Sequence, residues 1–257
     1  MKNSGMAGAI VFFFTFVMII ISNPCGYCED PIIRSMRQLE SDVISCDRQD
    51  TDYFGYIEGS IPVLISAPHG AKHFRTRENR WKAEDACTSA LAIQLGKITG
   101  AHVIYLKNKS FEDPNHDVRT LYKDFIAEIV RKHGIRFIAD LHGASGSRKF
   151  KVDIGILDDQ IAKSSCPTLK PVIQKAFQGF QSNPFNQHFR ANGRGTITYF
   201  AKHSLGIEAA QFEINARYRI VNCELSTNQE QKILELLERF RIMINEIHKT
   251  MPKGNFH

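Results

Sequence analysis

"VLISAPHGAKHF", residues 63–74, decides how the rest of the chain is read. Val63, Leu64 and Ile65 begin a short apolar run of the kind that makes a buried strand. The run ends in Pro68-His69-Gly70, and His73 follows close behind. An imidazole is delivered at the end of a core segment, beside the residue type that lets other groups approach the backbone closely. In an α/β fold, ligands collect outside the carboxyl ends of the strands, so the position matters if strands and helices alternate along the chain.

They do. "IPVLISAP" (61–68) precedes a helical pattern over 84–97, and "AHVIYLK" (101–107) precedes a second over 117–133 with Leu121, Phe125, Ile129 and Val130 on one face. "IRFIADLHG" (135–143) and "VDIGILD" (152–158) read as strands, followed by a third helix near 171–180. "GIEAAQFEI" (206–214) reads as the last strand, and a long helix over 228–248 closes the chain. Residues 29–60 read as polar and irregular. This alternation predicts a single α/β domain over 29–257, a three-layer sandwich with a mixed, largely parallel central sheet. No repeat or linker divides it.

Composition narrows the class. The chain has 257 residues, 43% hydrophobic and 23% charged, which are ordinary globular values. Its net charge of +6 is spread out, with no basic stripe interleaved with aromatics, so no nucleic-acid partner is expected. Lys2 followed by "AGAIVFFFTFVMIII" and then Ser22-Asn23-Pro24 has the form of a secretory signal peptide over residues 1–28, cleaved near Gly26 to Cys28. The apolar run is short of the roughly 20 residues a spanning helix needs, so an uncleaved membrane anchor is the second choice. A secreted or periplasmic chain could pair Cys46, Cys87, Cys166 and Cys223 in two disulfides, in any of three connectivities. Cys87 lies on the predicted helix, to be packed or disulfide-bonded rather than reactive. Asn108-Lys109-Ser110 is a glycosylation sequon in a eukaryotic host.

The punctuation of residues 63–70 recurs in "IADLHGAS", where His142-Gly143 closes a second strand. One strand-terminal histidine is more often an ordinary core or surface residue. Two converging from neighbouring strands suit a metal, with positions left for a carboxylate and a water. Glu213, inside "QFEI", is either an alternating solvent-face residue or a carboxylate facing the site. In the second case desolvation would raise its pKa and suit it as general base. Ser145 in "HGASGS" misses the nucleophile-elbow pattern by one position, which leaves it a weak nucleophile candidate.

"SAPHG", "DPNHD", "DLHGAS", "DIGILD", "NGRGTITYFA" and "QFEINARYR", in that order, resemble the N-formylglutamate amidohydrolase family, a relative of the zinc carboxypeptidases and succinylglutamate desuccinylases. The similarity runs from about residue 60 to 220. It implies a carboxypeptidase-like fold with a mixed sheet of eight or so strands, one zinc ion held by His69 and His142, and Glu213 as catalytic base. Asn115 in "DPNHD" matches an asparagine that helps hold a substrate carboxylate, but His116 stands where an arginine usually follows. Arg194 and Arg217 are the remaining cations for an acidic substrate, although Arg217 could equally pair a neighbouring acid. The His-x-x-Glu of carboxypeptidases is absent, since Lys72 is third after His69. Asp85, Glu84, Glu78 and His73 are candidates for the third ligand. Asp85 is favoured, because the helix after the strand returns its amino end to the strand's carboxyl end.

The expected activity is hydrolysis of an amide in a small acidic N-acyl amino acid, or in a peptide-like or γ-glutamyl substrate. The missing His-x-x-Glu also admits a secreted, metal-free carboxylate-binding protein.

Overall fold

The computed structural model describes residues 29–43, 45–49, 52–157, 169–180, 185–222 and 225–251. The expected leader and its two cysteines lie outside them, as do Cys166 and Cys223. No helix among the described residues is long and apolar enough to cross a membrane.

A sheet of six strands runs through the middle in the order β2 (Phe54–Ile57), β6 (Ala101–Leu106), β3 (Ile61–Ala67), β8 (Phe137–Ala144), β10 (Glu208–Asn215), β9 (Val152–Ile156). The four inner strands are parallel, and β2 and β9 close the edges antiparallel. The order places β3, β8 and β10 side by side, so the three runs singled out by their polar endings are neighbours. Helices cover both faces, as the alternation predicts, although the sheet has six strands where eight or so were expected.

Strand alternation sorts the two faces. Val63, Ile65, Ala67, Phe137, Ala139, Leu141, Ala210, Phe212 and Ile214 point into the larger core, beneath α1 (Pro31–Val43), α2 (Thr88–Thr99), α4 (Leu169–Ala176) and α6 (Thr227–Thr250). Phe212, Phe177 and Phe240 meet there with ring centroids 5.0–5.7 Å apart. The opposite face begins apolar with Leu64, Ile138 and Ala209, packed under α3 (Leu121–His133) and α5 (Ile197–Ser204). Toward the carboxyl ends the same face turns polar: Ser66, then Asp140 and His142, then Gln211 and Glu213. All five are at most 8% exposed. This polar end of an otherwise apolar face locates the site.

Several local readings are corrected. Residues 29–60 are not irregular: they form α1, a strand β1 (Ser45–Gln49) and β2. Helix α1 buries Ile33 and Met36, three residues apart, against the larger core. Helix α2 starts at Thr88, so Asp85 lies in the turn before it. Between β3 and α2 a hairpin of β4 (His73–Arg75) and β5 (Arg80–Lys82) crosses the sheet end. Asn108 in β7 (Asn108–Lys109) is 8% exposed and its amide donates to the Asp52 carbonyl, so the sequon is no glycan acceptor. Cys87 is buried and free, which rules out two disulfides among the four candidates.

Candidate metal and catalytic site

His69 leaves the end of β3 and His142 stands near the end of β8. Their ring centroids are 4.8 Å apart at 75°. The glycines that follow them permit close packing. A Cβ on Gly70 would sit 2.8 Å from Ser89 Cβ, and one on Gly143 would sit 2.6 Å from the Arg219 Cζ. Each imidazole can therefore emerge from its strand with other elements pressed against the adjoining backbone.

Each ring binds a buried carboxylate through Nε2: His69 to Asp113 at 2.7 Å and His142 to Asp140 at 2.9 Å. A carboxylate accepts and cannot donate, so both rings carry hydrogen on Nε2. In the neutral rings the two Nδ1 lone pairs then face each other across 3.2 Å, and the third group present is another acceptor. Asp85 Oδ2 lies 3.5 Å from one Nδ1 and 3.6 Å from the other. The Asp85 backbone N–H donates to the His69 carbonyl at 2.8 Å and pins the two residues together.

Three acceptors aimed at one point repel unless a proton or a metal cation lies among them. Tetrahedral donors about 2.0–2.1 Å from zinc stand about 3.3–3.4 Å apart. The observed edges of 3.2, 3.5 and 3.6 Å fit that triangle. Each histidine also has the carboxylate partner that usually orients a ligating ring. The electrostatics agree. Burial alone would lower the His69 pKa, but Asp113 and Asp85 outweigh it and raise it to about 8. Burial is likewise overcome at His142 by Asp140 and Asp85, which hold its pKa well above the usual value. The surroundings attract positive charge.

Of the other third-ligand candidates, Glu78 is tied to Arg75 at 2.9 Å and to Arg80, and Glu84 joins no such cluster among the described residues. His73 stacks on His69 at 4.0 Å and lies 3.6 Å from Asp113. A second donor group of His69, His73 and Asp113 thus exists, but the Arg75 Nε, 2.8 Å from Asp113, already supplies a cation there. Burial, with His69 alongside, lowers the His73 pKa to about 3, so that ring is neutral.

Glu213 is paired in register with His142 and is 8% exposed. The solvent-face alternative is therefore excluded. Burial raises its pKa above 4.5, against the pull of His142. Asn115 is already engaged on both sides of its amide: its Oδ1 accepts from the Ile197 N–H at 2.7 Å and one N–H of its Nδ2 donates to Gln211 at 3.3 Å. Arg194 and Arg217 are exposed, and neither has an ion-pair partner among the described residues. Arg217 occupies a 3-10 turn (Ala216–Tyr218) directly after β10, and Gly146, in the loop after β8, lies against its side chain. Ser145 is exposed, and its hydroxyl bonds only Ser147 among the described residues.

Three residues escaped the sequence reading. Arg219, 5% exposed, donates to the Ile214 carbonyl at 3.1 Å and to the Ala86 carbonyl, bracing the turn that carries Asp85. Gln211 touches Glu213 at 3.0 Å. Lys123, 1% exposed, donates to the carbonyls of Asp117 and Gly195. It ties together the loops that hold Asn115 and Arg194. The one available signal was Gln211, two residues before Glu213 and so on the same strand face.

No family model matches the sequence, and no curated protein does. Among solved structures the chain is similar to a gene product of Agrobacterium tumefaciens, with 13% identity and a TM-score of 0.52 over 76% of this chain and 96% of that one. It is similar to N-formylglutamate amidohydrolase from Ralstonia eutropha, with 10% identity and a TM-score of 0.50 over 77% of this chain and 99% of the other. A bacteriophage poly-gamma-glutamate hydrolase matches at 12% identity and a TM-score of 0.50, over 79% and 94%. The fold is thus the one the motif resemblance implied.

Proposed function

We propose that this chain is an exported zinc-dependent amidohydrolase that cleaves an amide in an acidic N-acyl amino acid, peptide-like or γ-glutamyl substrate. The observation that carries the reading is the triangle of His69 Nδ1, His142 Nδ1 and Asp85 Oδ2, three acceptors at tetrahedral spacing. The likeness to N-formylglutamate amidohydrolase and to poly-gamma-glutamate hydrolase supports it at the level of fold.

His69, His142 and Asp85 would hold the metal, with Asp113 and Asp140 fixing the tautomers of the two rings. Zinc bound there would supply a Lewis acid for the amide carbonyl and for the attacking water. Glu213 would take the proton of the attacking water and deliver it to the departing nitrogen, a role suited to a buried carboxylate whose pKa is raised. Arg194 and Arg217 meet the carboxylates of the substrate. Around them, segments 145–151, 185–196 and 216–222 also carry Arg148, Lys149, Lys151 and Arg190, and they contain no aspartate or glutamate. A rim of one sign of charge at the carboxyl end of the sheet favours an anionic substrate over a neutral one. The leader-like residues 1–28 support export.

The test is zinc analysis of purified protein, joined to hydrolysis of a panel of N-acyl-glutamates and γ-glutamyl amides with and without chelator. About one equivalent of zinc and chelator-sensitive turnover are expected, with Glu213→Gln slower by about 10²–10⁴-fold. Equal rates for the two proteins would remove Glu213 from the mechanism. A protein that takes up no zinc on reconstitution would favour a carboxylate-binding role on the same fold.

A further inference from the structure

We propose that Gln211 is the positioning residue for Glu213, and that Asn115 and the amino end of α5 hold Gln211 in turn. The inference rests on the hydrolase reading for its consequence, while its geometry stands apart from it. Three bonds run in series. The Ile197 N–H donates to Asn115 Oδ1 at 2.7 Å, Asn115 Nδ2 donates to Gln211 Oε1 at 3.3 Å, and Gln211 Nε2 donates to Glu213 Oε1 at 3.0 Å.

The direction of this chain is fixed from both ends. A backbone N–H can only donate, so the Asn115 oxygen must face Ile197 and its NH2 must face Gln211. An ionised carboxylate can only accept, so the Gln211 NH2 must face Glu213. The two constraints agree on one orientation for each amide. Flipping either would set donor against donor or acceptor against acceptor in a site where Gln211 is 5% exposed and Glu213 8%.

Among the described residues Gln211 makes the only hydrogen bond to the Glu213 carboxylate, and it holds Oε1. Oε2 is left as the oxygen free to exchange a proton. The anchor is rigid: Ile197 is the first residue of α5, whose cap Thr196 accepts from the Tyr199 N–H. Gly195 packs against the His116 backbone so tightly that a Cβ would collide with it, and the Lys123 ammonium clamps Asp117 and Gly195. The loops beside Asn115 and Arg194 and the aim of the base are therefore one connected structure. Asn115 acts through Gln211 rather than as a free grip for a substrate carboxylate.

The test is a double-mutant cycle on the zinc-loaded full chain. Gln211→Leu is expected to lower kcat by about 10–100-fold with KM within about three-fold and zinc stoichiometry unchanged. Placed in Glu213→Gln, the same substitution should cost less than about two-fold, because there is no base left to aim. Asn115→Ala, which spares the Gln211 side chain, should show the same pattern. Equal costs in both backgrounds would overturn the relay and leave the hydrolase reading intact. If the wild type hydrolyses nothing in the panel, the hydrolase reading fails, and the relay is still read by side-chain amide NMR. Glu213→Gln must then shift the NH2 resonances of both Gln211 and Asn115, and an unmoved Asn115 signal overturns it.

Discussion

Lys123 allows a sharp test of how the site's loops are held. Its ammonium is buried under α3 and faces two carbonyl acceptors, Asp117 and Gly195. A neutral amine has two N–H bonds and satisfies both. The third proton of the ammonium finds no hydrogen-bond acceptor among the described residues. Burial, only partly offset by Asp140 and Asp113, lowers the pKa from 10.5 to about 8. At 1.36 kcal/mol per pH unit that fall is worth about 3 kcal/mol. Above pH 10.5 the group is neutral in both states and its cost vanishes. Between 8 and 10.5 the unfolded chain binds the extra proton, so stability rises with pH, and below 8 the whole penalty is present. Lys123→Met removes the penalty but orphans two carbonyls at about 1–3 kcal/mol each. Near pH 7 the two effects roughly cancel. Between pH 7 and 10.5 the wild type should then gain about 3 kcal/mol over Lys123→Met. Urea unfolding of both proteins across that range, with chelator present, measures the gain. Parallel stability curves would refute the account, because titrations common to both proteins cancel in the difference.

Other outcomes follow from the same geometry. Asp85→Ala should weaken zinc binding by at least about 100-fold in chelator competition, since it removes a corner of the triangle and not only an orienting partner. Arg194→Ala or Arg217→Ala should raise KM for acidic amides by about ten-fold or more, the value of one charge-assisted hydrogen bond, and leave zinc content alone. In the pH–rate profile, kcat/KM should decline as pH falls through the Glu213 pKa, and Glu213→Gln should lose that acidic limb; a limb kept by Glu213→Gln would count against Glu213 as the base.

What the sequence made legible was whatever strand periodicity marks. His69, His142 and Glu213 each break an apolar run near its carboxyl end, and the adjacency of β3, β8 and β10 brings those breaks together at one end of the sheet. Asp85 was reached by a half-right argument: the connection does return to His69, but through a turn ahead of α2 rather than through the helix itself. Lys123 was not legible as a site residue, and Gln211 only by sharing the strand face of Glu213. Their roles lie in contacts with Asn115 and Gly195, far away in sequence, and no local pattern separates a buried glutamine or lysine with such a partner from an exposed one. Arg219 was passed over for Arg217 for a related reason. Both follow β10, and only the packing of Gly143 against one guanidinium tells which of them is buried. The β4–β5 hairpin left little trace because three-residue strands are too short to show a period.

In the zinc site proposed above, that hairpin stands in for His-x-x-Glu. A third ligand three residues from the first is placed by one local turn. Asp85 lies sixteen residues from His69 and has a side chain one methylene shorter than glutamate. Loop closure over the longer segment costs only about 1.5 kcal/mol more if the loop is flexible, and here the intervening chain is folded. His73 opens the hairpin and stacks on His69, while Arg75 in the same strand reaches Asp113, the carboxylate that orients the His69 ring. At the far end the Asp85 N–H closes on the His69 carbonyl, which brings the backbone close enough for the shorter side chain to meet both Nδ1 atoms. The hairpin thus helps orient one proposed ligand, His69, and sets the reach of another, Asp85. An insertion at its tip, near Asn79, should be tolerated, since that end is exposed. A residue added between Lys82 and Asp85 should break the backbone bond to His69 and abolish zinc binding while the six-stranded sheet remains folded.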